Sequence, residues 1–299
     1  MVTTLGQLAA RSKGSTDFVA SQALRVLRRT GSPRRALTAL GNPRRSRRDE
    51  WLQSTRERHG DYRAAIPVPR FSVVIVCVSN RPAMVENVID NVLRQSGLAE
   101  PPEVQFVANS AALTDAMRDR VQAALSGMCS VKSHRLDEAQ SLGAGLNVGL
   151  RSSDARFVAK FDDDDYYGPN YLADMLRAHA YSGAAVVGKH SYYAHMGASD
   201  QMMLRFPYRE FRYSRTVAGG TLVIDRDQTG EQEFDHTSLG EDRAFLAQAY
   251  RRRLPVFAAD RFNFVQSRAS DNIWKLPDAE FIKDCLLVGS GSALESVDV

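Results

Sequence analysis

Residues 157–169 read FVAKFDDDDYYGP. A short apolar stretch, Phe157-Val158-Ala159, leads into four consecutive carboxylates, Asp162 to Asp165, which precede Tyr166-Tyr167-Gly168-Pro169. Four acids at the mouth of a strand repel one another. In extended chain the side-chain period is two, so Asp162 and Asp164 are expected on one face. Two carboxylates so placed suit a hard divalent cation such as Mg²⁺, which takes oxygen ligands and is often completed by substrate phosphates. The competing reading is a solvated acidic turn. The elements on either side decide between them.

Working outward, residues 73–78 are Val-Val-Ile-Val-Cys-Val, an apolar run of strand length, as expected for a strand buried on both faces. Ser79-Asn80-Arg81-Pro82 then turns the chain, and Pro82 suits the first turn of a helix. Val85, Val88, Ile89 and Val92 repeat at helical spacing. The pattern next predicts a strand over 104–107, a helix over 114–125, a strand over 131–136 and a helix over 144–150. After the acidic strand end come a helix over 170–181 and a strand over 184–188. Such alternation predicts an α/β fold with a mostly parallel sheet flanked by helices. Ligands of these sheets bind beyond the carboxyl ends of strands, where both Ser79-Asn80-Arg81 and Asp162–Asp165 fall. Residues 191–216 are aromatic and basic without periodicity and read as an irregular excursion. A strand over 216–224, a helix over 238–252 and a short strand over 256–258 complete the pattern.

At 299 residues, 43% hydrophobic and 25% charged, the chain has the size and composition of one large globular domain or two small ones. No apolar stretch approaches the roughly 18 residues of a spanning helix. The first residues lack the basic start and apolar core of a signal peptide. Cys77, Cys129 and Cys285 are odd in number and far apart, fit no zinc or disulfide framework, and leave a reducing cytoplasm as the expected location. The net charge of +4 conceals an asymmetry. Residues 1–70 hold 15 Lys or Arg against 5 Asp or Glu and carry +10, so the remaining 229 residues carry −6. The expected organisation is a basic helical extension over 1–66, a main domain over 67–285 and a flexible tail over 286–299, where the sequence turns small and polar. In the extension, Phe18, Leu24, Val26 and Leu27 suit one short helix with an apolar side. It can be a solvated or packed arm, or make a peripheral contact with anionic lipid at the inner face of the membrane. It lacks aromatic interleaving and a recognition-helix pattern, so no nucleic-acid partner is expected.

Other constellations each have a bland competitor. Ser238 with Glu241 three residues on reads as a capping box, and Asp242 in the first turn favours the helix dipole. Held at a helix start, Asp242 can also serve as a general base toward an acceptor hydroxyl. Gly143-Ala144-Gly145-Leu146-Asn147-Val148-Gly149, with Asp162 beyond it, resembles a dinucleotide turn and keeps an NAD-type oxidoreductase as an alternative, although its spacing departs from G-x-G-x-x-G. His190 and His195 are five apart, wrong for one helical face, and no zinc site is expected. Trp274 is either core or a stacking platform for a sugar. Arg251-Arg252-Arg253 follows a helix end, where cations are favoured without any ligand.

Taken in order, Val73–Val78 with Ser79-Asn80-Arg81-Pro82, Asn147-x-Gly149, Phe161-Asp162-Asp163-Asp164-Asp165, Gly219-Gly220 and Gly240-Glu241-Asp242 resemble the family 2 glycosyltransferases of the GT-A fold. The resemblance runs from about Phe71 to Trp274. It implies a single Rossmann-like sheet, a nucleoside diphosphate sugar as donor (a UDP-sugar is favoured) and inverting transfer to a glycan, lipid-linked or protein acceptor. It implies a donor site at Val78, Ser79, Asn80, Arg81, Asn109, Asn147, Asp162 and Asp163. Mn²⁺ or Mg²⁺ would be held by Asp164 with Asp162, Asp242 would be the base beside Glu241, and Gly219, Gly220 and Trp274 would lie on the acceptor side. A catalytically weak protein that docks through its basic arm is the alternative from another class.

Overall fold

The computed structural model describes residues 56–57, 59–61, 63–269, 276–291 and 297–299. The chain divides into two compact units, residues 1–64 and 65–299. Most of the basic arm, including the helix expected around Phe18–Leu27, lies outside the described residues. Those described within 56–64 are helical.

Strand β1 (Val73–Ser79) is buried along its whole length, and the period of two explains why its sequence shows no alternation. Val73, Ile75 and Cys77 enter one core, with helices α1 (Val85–Leu93), α2 (Asp115–Leu125) and α4 (Tyr171–Ser182). Val74, Val76 and Val78 enter a second core, with α3 (Leu142–Arg151) and α5 (Glu241–Arg251). The sheet is thus sandwiched between two helical layers, and both of its faces must be apolar.

The remaining strands are β2 (Glu103–Ala108), β3 (Ser130–Arg135), β4 (Phe157–Asp162), β5 (Tyr166–Tyr167), β6 (Val186–Gly188), β7 (Tyr192–Met196), β8 (Gln201–Arg205), β9 (Arg212–Tyr213), β10 (Val223–Asp225), β11 (Val256–Ala258), β12 (Phe264–Arg268) and β13 (Cys285–Ser290). Eight form the large sheet in the order β3-β2-β1-β4-β10-β6-β11-β9. β3, β2, β1 and β4 run parallel, β10 is antiparallel to both neighbours, and β6 and β11 are parallel again.

A second sheet, β13-β8-β7-β12-β5, was not expected. It corrects the irregular excursion over 191–216: β7 and β8 form an antiparallel pair whose residues are mostly buried, so no polar alternation marks them. Of the tail expected to be flexible over 286–299, residues 286–291 and 297–299 are described, and these are ordered by partners. β13 pairs with β8, Val297 is buried, and Asp298 accepts a hydrogen bond from Tyr166 Oη at 2.6 Å. Small residues such as Gly289 and Ser290 disguised a strand that takes its order from a partner distant in sequence. The strand expected over 216–224 is instead a single 3₁₀ turn, Gly219–Thr221, leading into the short β10.

Candidate active site

The carboxyl ends of β1 and β4 lie side by side, with Val78 opposite Asp162. Alternation along β4 sends Phe157, Ala159 and Phe161 into the first core and Val158 into the second, so Lys160 and Asp162 face the α3–α5 layer. The strand stops at Asp162 and the chain turns through Asp163 and Asp164. The common face expected for Asp162 and Asp164 does not form, because extended chain ends too early. Each carboxylate is aimed by its own partners.

Asp163 turns inward, accepting from Ser79 Oγ at 2.6 Å and pairing with the Arg81 guanidinium. Arg81 Nη2 also lies 3.1 Å from Asp164 Oδ2. Asp165 is buried and accepts from the Ser267 N–H of β12 at 2.9 Å. Asp162 pairs with Lys160 Nζ. Among the described residues, four carboxylates therefore face two cations, Arg81 and Lys160. Burial, with Asp162 close by, pushes the Asp164 carboxyl up to about 6 against the pull of Arg81. Burial and the charges of Asp164 and Asp162 raise Asp165 well above the usual carboxylate range. A crowd of partly uncompensated carboxylate oxygens fits a hard divalent cation, Mn²⁺ or Mg²⁺.

The backbone of the run is held from α1 and β5. Asn87 Nδ2 donates to the Asp163 carbonyl at 2.7 Å, and Asn91 Nδ2 to the Asp165 carbonyl at 2.8 Å. Tyr167, fully buried and stacked on Phe161 with ring centroids 3.8 Å apart, accepts from the Asp162 N–H and donates to the Gly220 carbonyl at 2.6 Å. One phenol thus fixes the end of β4 to the glycine turn before β10.

That turn joins two acidic spots. A Cβ on Gly219 would stand 1.8 Å from Asp242 Oδ2, and one on Gly220 would stand 2.7 Å from Asp162 Oδ2 and 2.9 Å from Asp165 Oδ2. Helix α5 starts after Gly240, whose φ of +85° favours glycine. The expected capping box is absent. Glu241 points inward, buried, with Oε1 3.9 Å from Lys160 Nζ, and cannot reach back over the helix start. Ser238 Oγ accepts from the Leu142 N–H at 3.2 Å instead, tying the start of α5 to that of α3. Burial raises the Glu241 carboxyl, and Lys160 opposes the rise. Lys160 therefore lies between the two acidic spots, its own pKa held high by Asp162, Glu241 and Asp242 in spite of burial.

All of this opens on one cavity of about 660 Å³, within the range of small-molecule sites. Of the residues singled out from sequence, Val78, Asn80, Arg81 and Asn109 line it, as do Asp162 to Asp164, Gly219-Gly220 and Glu241-Asp242. Ser79 stands behind the wall, where it steadies Asp163. Asn147 does not belong to the site. It is fully buried, and its amide donates to the carbonyl and accepts from the N–H of Phe234, each at 2.8 Å. The glycines around it are not a dinucleotide turn but part of α3. A Cβ on Gly145 would meet Val78 at 2.9 Å and one on Gly149 would meet Val76 at 2.4 Å, so glycine lets this helix lie close on β1. Trp274 lies outside the described residues. Sequence reasoning named Asp165 within the acidic run but gave it no role, and it missed Lys160, Tyr167 and the Asn87/Asn91 pair. The i, i+4 asparagines were a legible signal, as was a lysine inside an otherwise apolar strand. It also missed a basic wall built by the second sheet, Arg205 and Arg268, which line the cavity and stack their guanidiniums on Phe281 at 3.9 and 4.2 Å from the ring centroid.

A parallel sheet with carboxylates converging at its strand ends, extended by a smaller sheet, is the GT-A architecture. The sequence model of glycosyl transferase family 2 matches residues 73–231, more than half of the chain, and the protein belongs to that family. No curated protein matches it. Among solved structures it resembles S. aureus TarS 1–349 in complex with UDP-GlcNAc, at 14% identity and a TM-score of 0.54. That match covers 71% of this chain and 64% of the TarS chain, so the protein spans less than two thirds of that relative. It also resembles the mannosyltransferase PcManGT from Pyrobaculum calidifontis in complex with GDP-Man and Mn²⁺. There the identity is 13% and the TM-score 0.55, covering 75% of this chain and 69% of the other.

Proposed function

We propose that the protein is an inverting glycosyltransferase that moves a sugar from a nucleoside diphosphate sugar to an acceptor hydroxyl with the help of a divalent metal ion. The compact unit over 65–299, which takes in the expected domain over 67–285, carries the reaction. The observation that supports this reading best is the adjacency of Gly219 and Gly220, which brings Asp242 and the Asp162/Asp165 pair to one short turn.

Asp164 with Asp162 would hold Mn²⁺ or Mg²⁺. When bound, the ion would offset charge developing on the diphosphate leaving group. The loop Val78–Arg81 and Asn109 would receive the nucleoside. Arg81 keeps Asp163 and Asp164 apart and oriented, while Lys160 keeps Asp162 and Glu241 in place. Asp242 takes the proton of the acceptor hydroxyl as its oxygen bonds to the anomeric carbon. The bond from that carbon to the phosphate oxygen breaks on the opposite face, giving inverted configuration. General-base help of this kind contributes roughly 10²–10⁴-fold.

A UDP-sugar is the donor we favour, and a glycan, lipid-linked or protein hydroxyl the acceptor. Cys77 and Cys129 are buried free thiols, which supports a reducing, cytoplasmic location. No helix among the described residues is long and apolar enough to cross a membrane. The deciding experiment is Asp242→Asn. Donor binding by calorimetry should stay near wild type while turnover falls by at least about 10²-fold. Wild-type turnover in that variant would remove Asp242 from the role of base.

A further inference from the structure

The outer edge of the large sheet carries a surface that the cavity chemistry does not use. There β9 pairs with β11, and the C-terminal end of α5 packs beside them. The two stretches that meet, residues 208–216 and 250–255, hold six arginines and one carboxylate, Glu210. Glu210 is taken up by Arg261 at 3.0 Å. Arg212, Arg215, Arg251 and Arg253 are exposed, and none pairs with a carboxylate among the described residues. Tyr213 is 59% exposed and Tyr250 51%. The Arg215 guanidinium lies over the Tyr250 ring at 4.6 Å, joining strand edge to helix. Tyr181, 61% exposed at the end of α4, packs on Phe257 beside Tyr213.

The helix dipole accounts for cations at the end of α5. It does not account for Arg212 on the neighbouring strand or for Arg215 in the bend just beyond it. Charged residues blunt edge strands, but β9 is only two residues long, and Arg251 and Arg253 lie off it. We propose that this face docks on the headgroup layer of an anionic lipid bilayer. Unpaired guanidiniums complement an anionic leaflet, and tyrosines prefer the membrane–water interface, where the ring is apolar and the hydroxyl wet. Residues 71–299 carry −6 in all, so this cluster is a positive island that orients the body toward such a surface. Guanidiniums alternate with tyrosines along both stretches, a pattern that suits a charged, wet headgroup layer better than the apolar core of a protein interface. Thr216, next to Arg215, and Arg243, two turns before Tyr250 on α5, both line the cavity. Docking therefore brings the cavity mouth within roughly 10 Å of the headgroups. The proposal does not depend on the chemistry assigned to the cavity.

The test is flotation of the full chain with vesicles of phosphatidylcholine, alone or in equimolar mixture with phosphatidylglycerol. Wild type should float with the anionic vesicles only, and less as salt rises. The variant Arg212→Gln/Arg215→Gln/Arg251→Gln/Arg253→Gln keeps the arm and should bind on the order of 10³-fold more weakly, since each basic side chain near such a surface is worth about fivefold. Its thermal unfolding and UDP binding should be unchanged. A bimane probe on Tyr250→Cys should shift to the blue on anionic vesicles. Flotation of the quadruple variant at wild-type level would overturn the proposal, leaving the arm as the lipid contact. So would a probe that ignores vesicles and responds to soluble polyphosphate, which would make the occupant a soluble polyanion.

Discussion

Replacing Gly219 by alanine adds one methyl group aimed at the proposed base. The new Cβ would fall 1.8 Å from Asp242 Oδ2, 2.6 Å from its Cγ and 2.9 Å from its Cβ. The carboxylate must withdraw from 1.8 Å to an ordinary contact of 3.4 Å, a retreat of about 1.6 Å. The φ of Gly219 is not in the left-handed region, so alanine adds no backbone strain and the fold should survive. A misplacement of about 1 Å in a reacting group can cost on the order of 10²-fold, equal to about 2.7 kcal/mol of barrier. Gly219→Ala should therefore lose roughly 10²-fold in kcat while calorimetric donor and Mn²⁺ binding stay near wild type. Gly220→Ala, one residue on, is the internal control. Its Cβ meets Asp162 and Asp165, not Asp242, so Mn²⁺ affinity should fall first. The assay is release of the nucleoside diphosphate, with a donor chosen by thermal shift. If Gly219→Ala turns over at the wild-type rate, Asp242 is not the base and the glycine turn does not set its position.

The metal site should titrate. The Asp164 carboxyl lies at about 6, above its usual 3.8, and the ion needs the ionised form, so Mn²⁺ affinity should drop by up to about tenfold per pH unit below 6. The metal-free fold should respond with the opposite sign, because a raised carboxyl binds more protons folded than unfolded between 3.8 and 6 and adds stability as pH falls; Asp164→Asn should flatten both curves. Lys160→Met leaves Asp162 and Glu241 without their shared cation. Discounted for the partial exposure of Asp162, the cost should be about 2–3 kcal/mol in denaturant unfolding, and an unchanged midpoint would deny Lys160 its bridging role. Asn147→Leu strands the buried N–H and carbonyl of Phe234 and should cost about 2–3 kcal/mol with the donor KM unchanged, whereas a raised KM at wild-type stability would return Asn147 to the donor site.

Much of the sheet was legible because burial writes itself into local pattern. Six apolar residues from Val73 to Val78 can only be a strand covered on both sides, and the helices between strands show their buried stripe. The second sheet left no such mark. β7 and β8 are mostly buried and aromatic or Met-rich, and β13 is a run of small and apolar residues ordered by pairing. The acidic run and Glu241-Asp242 announced themselves by composition. Their orientation did not, since Ser238 offered a local capping partner that the folded chain diverts to Leu142.

The sequence by itself determined the alternation of strand and helix and the presence of two acidic spots, since these follow from side-chain periodicity and residue type within a few turns of chain. Only the tertiary structure decided which carboxylate faces which neighbour. Asp163 is turned by Ser79 from 84 residues away and Asp165 by Ser267 from 102, while Asp242 has its room left open by Gly219, which has no side chain to signal its importance. A carboxylate points where its hydrogen-bond donors and open space lie. Asp242 takes a donor from the adjacent Arg243 N–H, but the donors to Asp163 and Asp165 and the space beside Asp242 are supplied by segments remote along the chain.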